Sequence, residues 1–466
     1  MTQNNLIAHP DLCSDPGFIY DCIVIGGGAA GLFYAAGDTG TQSPKQSGTG
    51  VRPAKLILEK TSRPGQKLLL SGNGMCNITH GGSIKEFVSK YGEHGGRIRG
   101  CLYRHNNLQL MGMLEDAGVP LETREDGKVF PQSHKAKDIL DALRAKATRN
   151  GFHLVTKAEV TAISTASAIS TSMSSGSANE SDQSASHDDY RALTTLHLPD
   201  GTTLITRKLV IATGGASYPA TGSDGSFFDV LRRDLGLDIV TPKPALAPVY
   251  VEQYPYAELS GISFPDVEVS CAGHTCRGAM LLTHRGFSGP AFLHLSQHAK
   301  AGDMLRINYL PNRNINEVYQ QIKTDQPGNS RSIANYLASA FDFPKAFARK
   351  QLANPDRKLS SVGHKELENI AHLLMDRRHI ISGTGGWNEA MVTAGGVALG
   401  QMDLKTMRLK TANPVRQDFD ADSRITGEAF DFAADIRIIG EALDINGDTG
   451  GYNLQFAYSS AMAALE

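Results

Sequence analysis

The alternation of apolar and polar residues divides the chain into distinct pieces. Residues 20–25, YDCIVI, are a β-branched apolar run ending in glycines, the pattern of a parallel strand buried on both faces. The small and apolar stretch AAGLFYAAG that follows predicts a helix, and KLILEK at 55–60 predicts a second strand. Between them DTGTQSPKQSGTGVRPA is polar and rich in Gly, Ser, Thr and Pro, as in a surface loop. A helix is expected from Ser133 through SHKAKDILDALRAKATRNG. Ala136, Ile139, Leu140, Leu143 and Ala147 share one face of it, and Gly151 stands where a C′ glycine belongs. Strand-like HLVTKAEVTAI comes next, and alternation resumes at RALTTLHL, with Asp200-Gly201 as a hairpin turn. The serine-rich residues 164–190 hold too little apolar surface to offset their ordering entropy, and are expected to be a disordered loop within an antiparallel meander. RKLVIATGG then returns to the buried parallel pattern.

From about Pro244 the texture changes. PALAPVYVEQY, GISFPDVEVSC and DMLRINYL read as short strands separated by turns. Residues 313–382 lack a strand pattern and hold helical stretches such as SIANYLASAF and HKELENIAHLLMDRRH. From about Glu389 the glycine-rich, buried-strand texture returns. The expected organisation is an α/β domain split in sequence, residues 1–244 and 385–466, carrying a β-rich insert at 245–312 whose helical part covers 313–384.

GGGAAG at 26–31 fits G-x-G-x-x-G through Gly26, Gly28 and Gly31, with a strand before it and a helix after it. In that context Gly26 permits a tight turn, Gly28 lets backbone approach a pyrophosphate, and Gly31 lets the helix pack on the sheet. Free N–H groups at the helix start, Ala29 and Ala30, then face phosphate. Glu59 ends the next strand, with Lys60 beside it, and is placed to accept from a ribose 2′-hydroxyl. A carboxylate there favours an unphosphorylated ribose, so NAD or FAD over NADP. Three features favour FAD: Thr213 and Gly214 in the ATGG that ends a later strand, the meander before that strand, and the C-terminal IIGEALDINGDTGGYNLQFAYSSAMAAL. There Gly440 and Glu441 follow a strand, and a helix begins in glycines. Glu441 is expected to take ribityl hydroxyls or lie near the pyrophosphate. The amides around Gly450, Gly451, Asn453 and Leu454 are expected to face the flavin N1–C2=O edge, where a helix N-terminus favours the reduced ring's negative charge by up to ~2 kcal/mol.

Composition narrows the setting. Of 466 residues, 41% are hydrophobic and 20% charged, enough for two or three domains with ample core. The formal net charge of -2, with signs interspersed, gives no electrostatic reason to expect nucleic acid or an anionic membrane as partner. The polar N-terminus has no apolar h-region, and no stretch approaches 18 uninterrupted apolar residues, so neither a signal peptide nor a membrane span is expected. Six cysteines fit the reduced thiols of a cytoplasmic protein, monomer or homodimer. No His/Cys/Asp/Glu spacing suggests a metal.

Six stretches, in order along the chain, resemble the BaiN/YhiN-like family of FAD-dependent oxidoreductases, which includes proteins named aminoacetone oxidases. They are GQKLLLSGNGMCN at 65–77, VFPQSHKA at 129–136, ATGGASYPATGSDG at 212–225, THRGFSGPA at 283–291, VTAGGV at 392–397 and GEALDINGDTGGYNLQ at 440–455. The resemblance covers the chain apart from loops and the helical part of the insert. It implies an FAD-binding Rossmann-like domain of two-dinucleotide-binding type, an inserted β-barrel-like domain and a small helical subdomain. It also implies that residues 65–77 run along the FAD, with Lys67, Gly72, Asn73, Gly74, Cys76 and Asn77 at matching positions. Two departures are Met75, where the family pattern has arginine, and His80, where it has asparagine.

The expected activity is hydride transfer between flavin N5 and a small organic substrate bound between the flavin domain and the insert. Reduction of an activated C=C bond is favoured, with NAD(P)H as transient donor, because only one dinucleotide fingerprint is visible. His284 is the candidate proton donor, weighed against a structural role at the SGP turn. Arg285 is a candidate carboxylate binder, weighed against a surface ion pair. Cys76 is a candidate redox thiol, weighed against packing. Cys271 and Cys276 have C-x-x-x-x-C spacing but lie in the insert, away from the place such a pair takes beside a flavin. Two alternatives stay open: a flavin-dependent RNA-modifying enzyme and a non-catalytic flavoprotein redox sensor.

Overall fold

The computed structural model describes residues 12, 17–40, 45–47, 50–52, 54–166, 192–410 and 434–466. Most of the serine-rich loop expected at 164–190, and part of the polar insertion before KLILEK, lie outside the described residues. The chain forms two compact units, Met1–Lys243 with Thr393–Glu466, and Pro244–Val392.

In the first unit the apolar runs become parallel strands: β1 (Ile19–Ile25), β2 (Lys55–Glu59), β3 (Phe152–Thr156), β4 (Thr203–Ile211) and β5 (Asp435–Ile438). Their spatial order is β5–β4–β1–β2–β3, and every neighbouring pair is parallel. Ile23, Val24, Leu209, Val210 and Ile438 are fully buried, each worth roughly 1.5–3 kcal/mol relative to exposure. Strand Leu193–His197 pairs antiparallel with β4 and with Ala162–Ala166, and Gly201 takes a left-handed φ of +83° in the turn before β4.

Helix α1 (Ala29–Gly37) packs against both α2 (Ala136–Arg149) and α3 (Tyr452–Ala463). A Cβ added at Gly37 would lie 2.3 Å from Met462 Cε, so glycine here leaves room for the Met462 side chain between α1 and α3. Helix α2 starts three residues later than its periodicity predicts. His134 adopts φ +54°, which a right-handed helix cannot include, and the Ser133 hydroxyl accepts from Lys135 N at 3.3 Å.

The register of the parallel strands is what builds the site. Ile25 stands opposite both Leu58 and Ile211, and Ile211 opposite Ile438. The carboxyl ends of β1, β2, β4 and β5 are therefore level, and Gly26, Glu59, Ala212 and Ile439 leave the sheet along one edge. In open α/β sheets that edge is where ligands bind.

The second unit contains a closed six-stranded barrel in the order Val249–Val251, Phe287–Ser288, His274–Leu282, Ser263–Cys271, Met304–Asn308 and Arg377–Thr384. Helices Ile315–Asp325, Ile333–Ala340, Lys345–Lys350 and His364–Met375 come between the last two strands. Closure leaves no edge strand unpaired. Arg377–Thr384 departs from the helical assignment of residues 313–384. The preceding helix stops at Met375, and Leu305 and Ile307 pair with His379 and Arg377 to complete the barrel. Phe264, Phe287, Phe292, Phe347, Tyr256 and Tyr309 form the aromatic centre of this unit. Among the described residues no helix is long and apolar enough to cross a membrane.

Candidate cofactor and active site

The three glycines of the first motif are glycines for different reasons. Gly26 has φ +107°, and a Cβ there would come within 2.4 Å of Ala212 O; at Gly31 it would come within 2.1 Å of Gly26 O. Both are fixed by close packing. Gly28 has an ordinary φ of -81°, and a Cβ there would meet nothing within 4 Å. Gly28 is the N-cap of α1, and no side chain caps that end. The unpaired amides of Ala29 and Ala30 therefore open onto a cradle that a side chain would fill, as a pyrophosphate requires.

Glu59 is buried, and its carboxylate is held in place. Oε2 accepts from Gly27 N at 3.0 Å, and Oε1 accepts from Thr61 N and Thr61 Oγ1, each at 2.8 Å. Each oxygen has two acceptor sites, so Oε2 retains one for a sugar hydroxyl. Lys60, expected at the cofactor, turns instead to Asp224 at 2.7 Å and Ser226 Oγ at 3.4 Å. Burial opposes charge on Asp224, but Lys60 and the Ser226 hydroxyl and amide outweigh it and hold the carboxyl below its usual range.

Segment 65–77 folds into the helical turn Gln66–Leu70 followed by a run of left-handed residues. Gly72, Asn73, Gly74 and Cys76 have φ of +55°, +56°, +85° and +60°. The chain doubles back on itself, with Cys76 N donating to Ser71 O at 2.9 Å. A Cβ at Gly72 would sit 2.8 Å from Asn77 N, whereas at Gly74 its nearest neighbour is 3.9 Å away. Cys76 is fully enclosed. Burial pushes its thiol up to about 12, against a smaller lowering by Ser71, so it stays protonated at neutral pH. In the carboxamide orientation that satisfies its neighbours, Asn77 donates to Thr79 O at 2.9 Å and accepts from Gly451 N at 3.2 Å.

That last bond ties the segment to the start of α3. Gly450 and Gly451 have φ of +120° and +93°, and a Cβ on Gly451 would lie 2.6 Å from Thr79 Cα. No side chain caps α3. The Asn453 side chain serves the preceding loop, accepting from Gly447 N at 2.7 Å and donating to Gly447 O at 2.8 Å. The Leu454 side chain packs on the core. Only the backbone amides of these two residues are available at the helix start.

Lys67 and Glu441 contact each other. Lys67 Nζ donates to Glu441 Oε2 at 2.6 Å and to Ser217 Oγ, while Glu441 Oε1 accepts from Thr393 N at 2.8 Å and Ser217 Oγ at 3.1 Å. Thr393 Oγ1 in turn accepts from Ala216 N at 2.8 Å. Ser217 and Thr393, both fully buried, join this cluster though neither is a candidate from the sequence pattern. They lie inside the quoted stretches ASYPATG and VTAGGV, but a single hydroxyl carries no periodic signal. Gly214 (φ +73°) and Gly440 (φ +65°) complete the edge, next to Thr213 on one side and against Ala30 on the other.

The predicted cofactor residues all belong to the first unit, where Gly27 meets Glu59, Lys67 meets Glu441 and Asn77 meets Gly451, while the Lys60 side chain turns to Asp224. The arrangement fits FAD: an open phosphate cradle, an anchored carboxylate, a low-bulk track and a second uncapped helix start. His284 lies in the second unit, exposed on the loop between strands His274–Leu282 and Phe287–Ser288. Cys271 and Cys276 lie on one hairpin, opposite His274 and Val269 respectively, and are not joined by a disulfide. Among the described residues no group of three or more His, Cys, Asp or Glu is placed to hold a metal.

The model of the HI0933-like protein Rossmann domain family matches residues 20–416. The chain belongs to that family. It is an FAD-dependent oxidoreductase, as the family is. Among its relatives is the ribosomal RNA dihydrouridine synthase of Escherichia coli (strain K12), 27% identical over 96% of this chain and 97% of the relative. The ribosomal RNA dihydrouridine synthase of Haemophilus influenzae is 26% identical over 95% and 96%. The 3-dehydro-bile acid delta(4,6)-reductase of Clostridium scindens is 24% identical over 95% and 97%.

Proposed function

We propose that this enzyme reduces a carbon–carbon double bond conjugated with a carbonyl group, with NAD(P)H as its transient electron donor. The observation that carries the reading is the level edge of the first sheet, with its open cradle at Gly28. There the Ala29 and Ala30 amides would hold the pyrophosphate and Glu59 a ribose hydroxyl. The backbone at Gly72, Asn73 and Gly74 would lie beside the cofactor. Glu441, steadied by Lys67, Ser217 and Thr393, would orient its chain. FAD bound there supplies a two-electron hydride donor and acceptor. The start of α3 favours negative charge nearby, by up to ~2 kcal/mol.

The reactions in the relatives' names support the choice of bond. Forming dihydrouridine and removing a Δ4,6 unsaturation from a 3-oxo compound both add hydride to a carbon conjugated with a carbonyl, then a proton to its neighbour. His284, exposed on its loop, is proposed to supply that proton from its ring N–H. Cys76 is assigned to packing.

A second reading, a uridine in RNA as substrate, is favoured by the identity to the two synthases over almost their full length. The charge balance of the second unit speaks for a small molecule. It holds 15 Lys and Arg against 13 Asp and Glu, without the basic excess that phosphate contacts call for. Anaerobic mixing of the flavoprotein with NADH and NADPH, followed by cyclic enones or by rRNA fragments, tests both. Bleaching by one nucleotide and recolouring by an enone is expected. If neither nucleotide bleaches the flavin, the proposal loses its electron source, and recolouring by RNA alone selects the second reading.

A further inference from the structure

A buried hydroxyl at the rim of the first sheet has no partner. Ser223 is 7% exposed, and its Oγ makes no hydrogen bond to a described residue. Nearby serines differ: Ser226 Oγ donates to Asp224 Oδ1 at 2.7 Å, and Ser217 Oγ to Glu441 Oε1 at 3.1 Å. Burying a hydroxyl without a hydrogen bond works against folding, so a native site that does so calls for a reason. Of the other buried polar atoms without a partner in the first unit, Thr194 and Thr202 belong to the antiparallel hairpin before β4, and the His105 ring lies 3.0 Å from Glu466 Oε1. Ser223 alone among them stands at the carboxyl ends of the parallel strands.

Contacts with two strand ends place it there. Gly214, just beyond β4, has φ +73°, and a Cβ on it would lie 3.0 Å from Ser223 Oγ, so the hydroxyl occupies the side where a side chain would project. The residue before Ser223 packs on the end of β2. A Cβ on Gly222 would lie 2.8 Å from Thr61 Cγ2 and 3.6 Å from Glu59 Oε1. The residue after it, Asp224, accepts from Lys60 Nζ at 2.7 Å and from Ser226 N at 3.1 Å. Gly225 N closes the loop on Gly215 O at 3.0 Å. Ser223 is thereby fixed between the ends of β2 and β4, on the side of Glu59, whose Oε2 keeps an acceptor site for a sugar hydroxyl. The turn of Lys60 toward Asp224 gains a use: it pins the neighbour of Ser223.

We propose that the Ser223 hydroxyl hydrogen-bonds to the adenosine diphosphate half of bound FAD, with Lys60 positioning its loop. This deepens the cofactor placement along the sheet edge proposed above and rests on it. A hydroxyl donates and accepts, so it suits either a ribose hydroxyl or a phosphate oxygen beside Glu59. The ligand supplies the partner that the fold does not.

The test uses the full chain freed of flavin, titrated with FAD by fluorescence, with ADP and adenosine as competitors and urea denaturation alongside. Ser223→Ala weakens FAD and ADP by the same factor, about 3- to 10-fold, the worth of one neutral hydrogen bond. The urea midpoint of its apoprotein holds or rises, because an unbonded group has been removed. Lys60→Met weakens both ligands as well, and adds nothing further when residue 223 is already alanine; an equal loss in both backgrounds overturns its positioning role. A parallel loss with adenosine puts the bond on the sugar, and a loss with ADP alone puts it on phosphate. Unchanged FAD and ADP affinity in Ser223→Ala overturns the inference. So does a lowered urea midpoint, which would reveal a bond within the fold, and so does weaker FAD with unchanged ADP, which would move the hydroxyl to the flavin half. Gly28→Ser, measured beside these variants, separates this inference from the placement beneath it. ADP binding that Gly28→Ser leaves intact takes the cofactor off this edge and overturns both, whereas binding lost there but kept in Ser223→Ala overturns the Ser223 bond alone.

Discussion

Replacing Gly28 and Gly26 separately should divide folding from cofactor binding within one six-residue motif. At Gly28 the backbone already has a φ that any residue adopts, and the added Cβ meets nothing within 4 Å. Serine there becomes the N-cap of α1, its hydroxyl accepting from the Ala30 or Gly31 amide. The cap adds a few tenths of a kcal/mol over glycine, and the loss of unfolded-chain freedom adds roughly 0.4–1 kcal/mol. The apoprotein of Gly28→Ser is therefore more stable by about 0.6–1.5 kcal/mol. The same hydroxyl occupies the cradle and consumes a phosphate-binding amide, so FAD affinity falls on the order of 100-fold or more. Gly26→Ala behaves oppositely. A φ of +107° costs an L-residue roughly 1–2 kcal/mol, and pushing Ala212 O out of a 2.4 Å contact costs roughly 1–3 kcal/mol more. Urea denaturation of the two apoproteins and fluorescence titration with FAD make the comparison. Should Gly28→Ser be destabilised as much as Gly26→Ala, or retain FAD at native affinity, the cradle is misassigned.

Three further outcomes can be checked. A double-mutant cycle on Lys67→Met and Glu441→Gln should give a coupling of about 1–2 kcal/mol, between the values for exposed and buried pairs, because each side chain is roughly a quarter exposed; strict additivity would show that the pair is incidental. Burial, then the charge of Arg377, pushes His379 down to about 4, so the fold keeps it neutral while the unfolded chain protonates near 6.5. Its stabilisation is full above pH 6.5 and is lost as pH falls from 6.5 to about 4, up to about 3 kcal/mol, and His379→Leu should flatten that part of the stability–pH curve. Native Cys76, with its thiol near 12, should resist iodoacetamide at pH 8, and Cys76→Ala should still allow the flavin to be reduced; alkylation at the rate of a free thiol would contradict its enclosure.

What could be read in advance was what is local. The β-branched runs of β1 and β2, and the glycine motif between strand and helix, carry their own periodicity and bulk constraints, so strands, turn and cradle follow directly. The strand Arg377–Thr384 was hidden because its sequence, RRHIISGT, is charged and glycine-containing. Only barrel closure against Met304–Asn308 makes it a strand. The start of α2 was misjudged because the left-handed twist at His134 leaves no mark on helical periodicity. The mutual pairing of Lys67 and Glu441, 374 residues apart, depends on how the sheet edge is assembled. The sequence shows two cofactor candidates, whereas the fold shows that each is first the other's partner. Ser217 and Thr393 went unseen for the same reason, since their value lies in which amides and carboxylates they meet.

The level edge of the first sheet has a consequence for biosynthesis. Strand β5 and Glu441 are made long after Gly28 and Glu59, yet they stand beside β4 and complete the same rim. A nascent chain still short of residue 441 has the glycine cradle and the first acidic anchor, but an unzipped flank along β4 and a Lys67 with no counter-charge. Prematurely terminated copies should therefore emerge colourless and prone to clump along that bare flank.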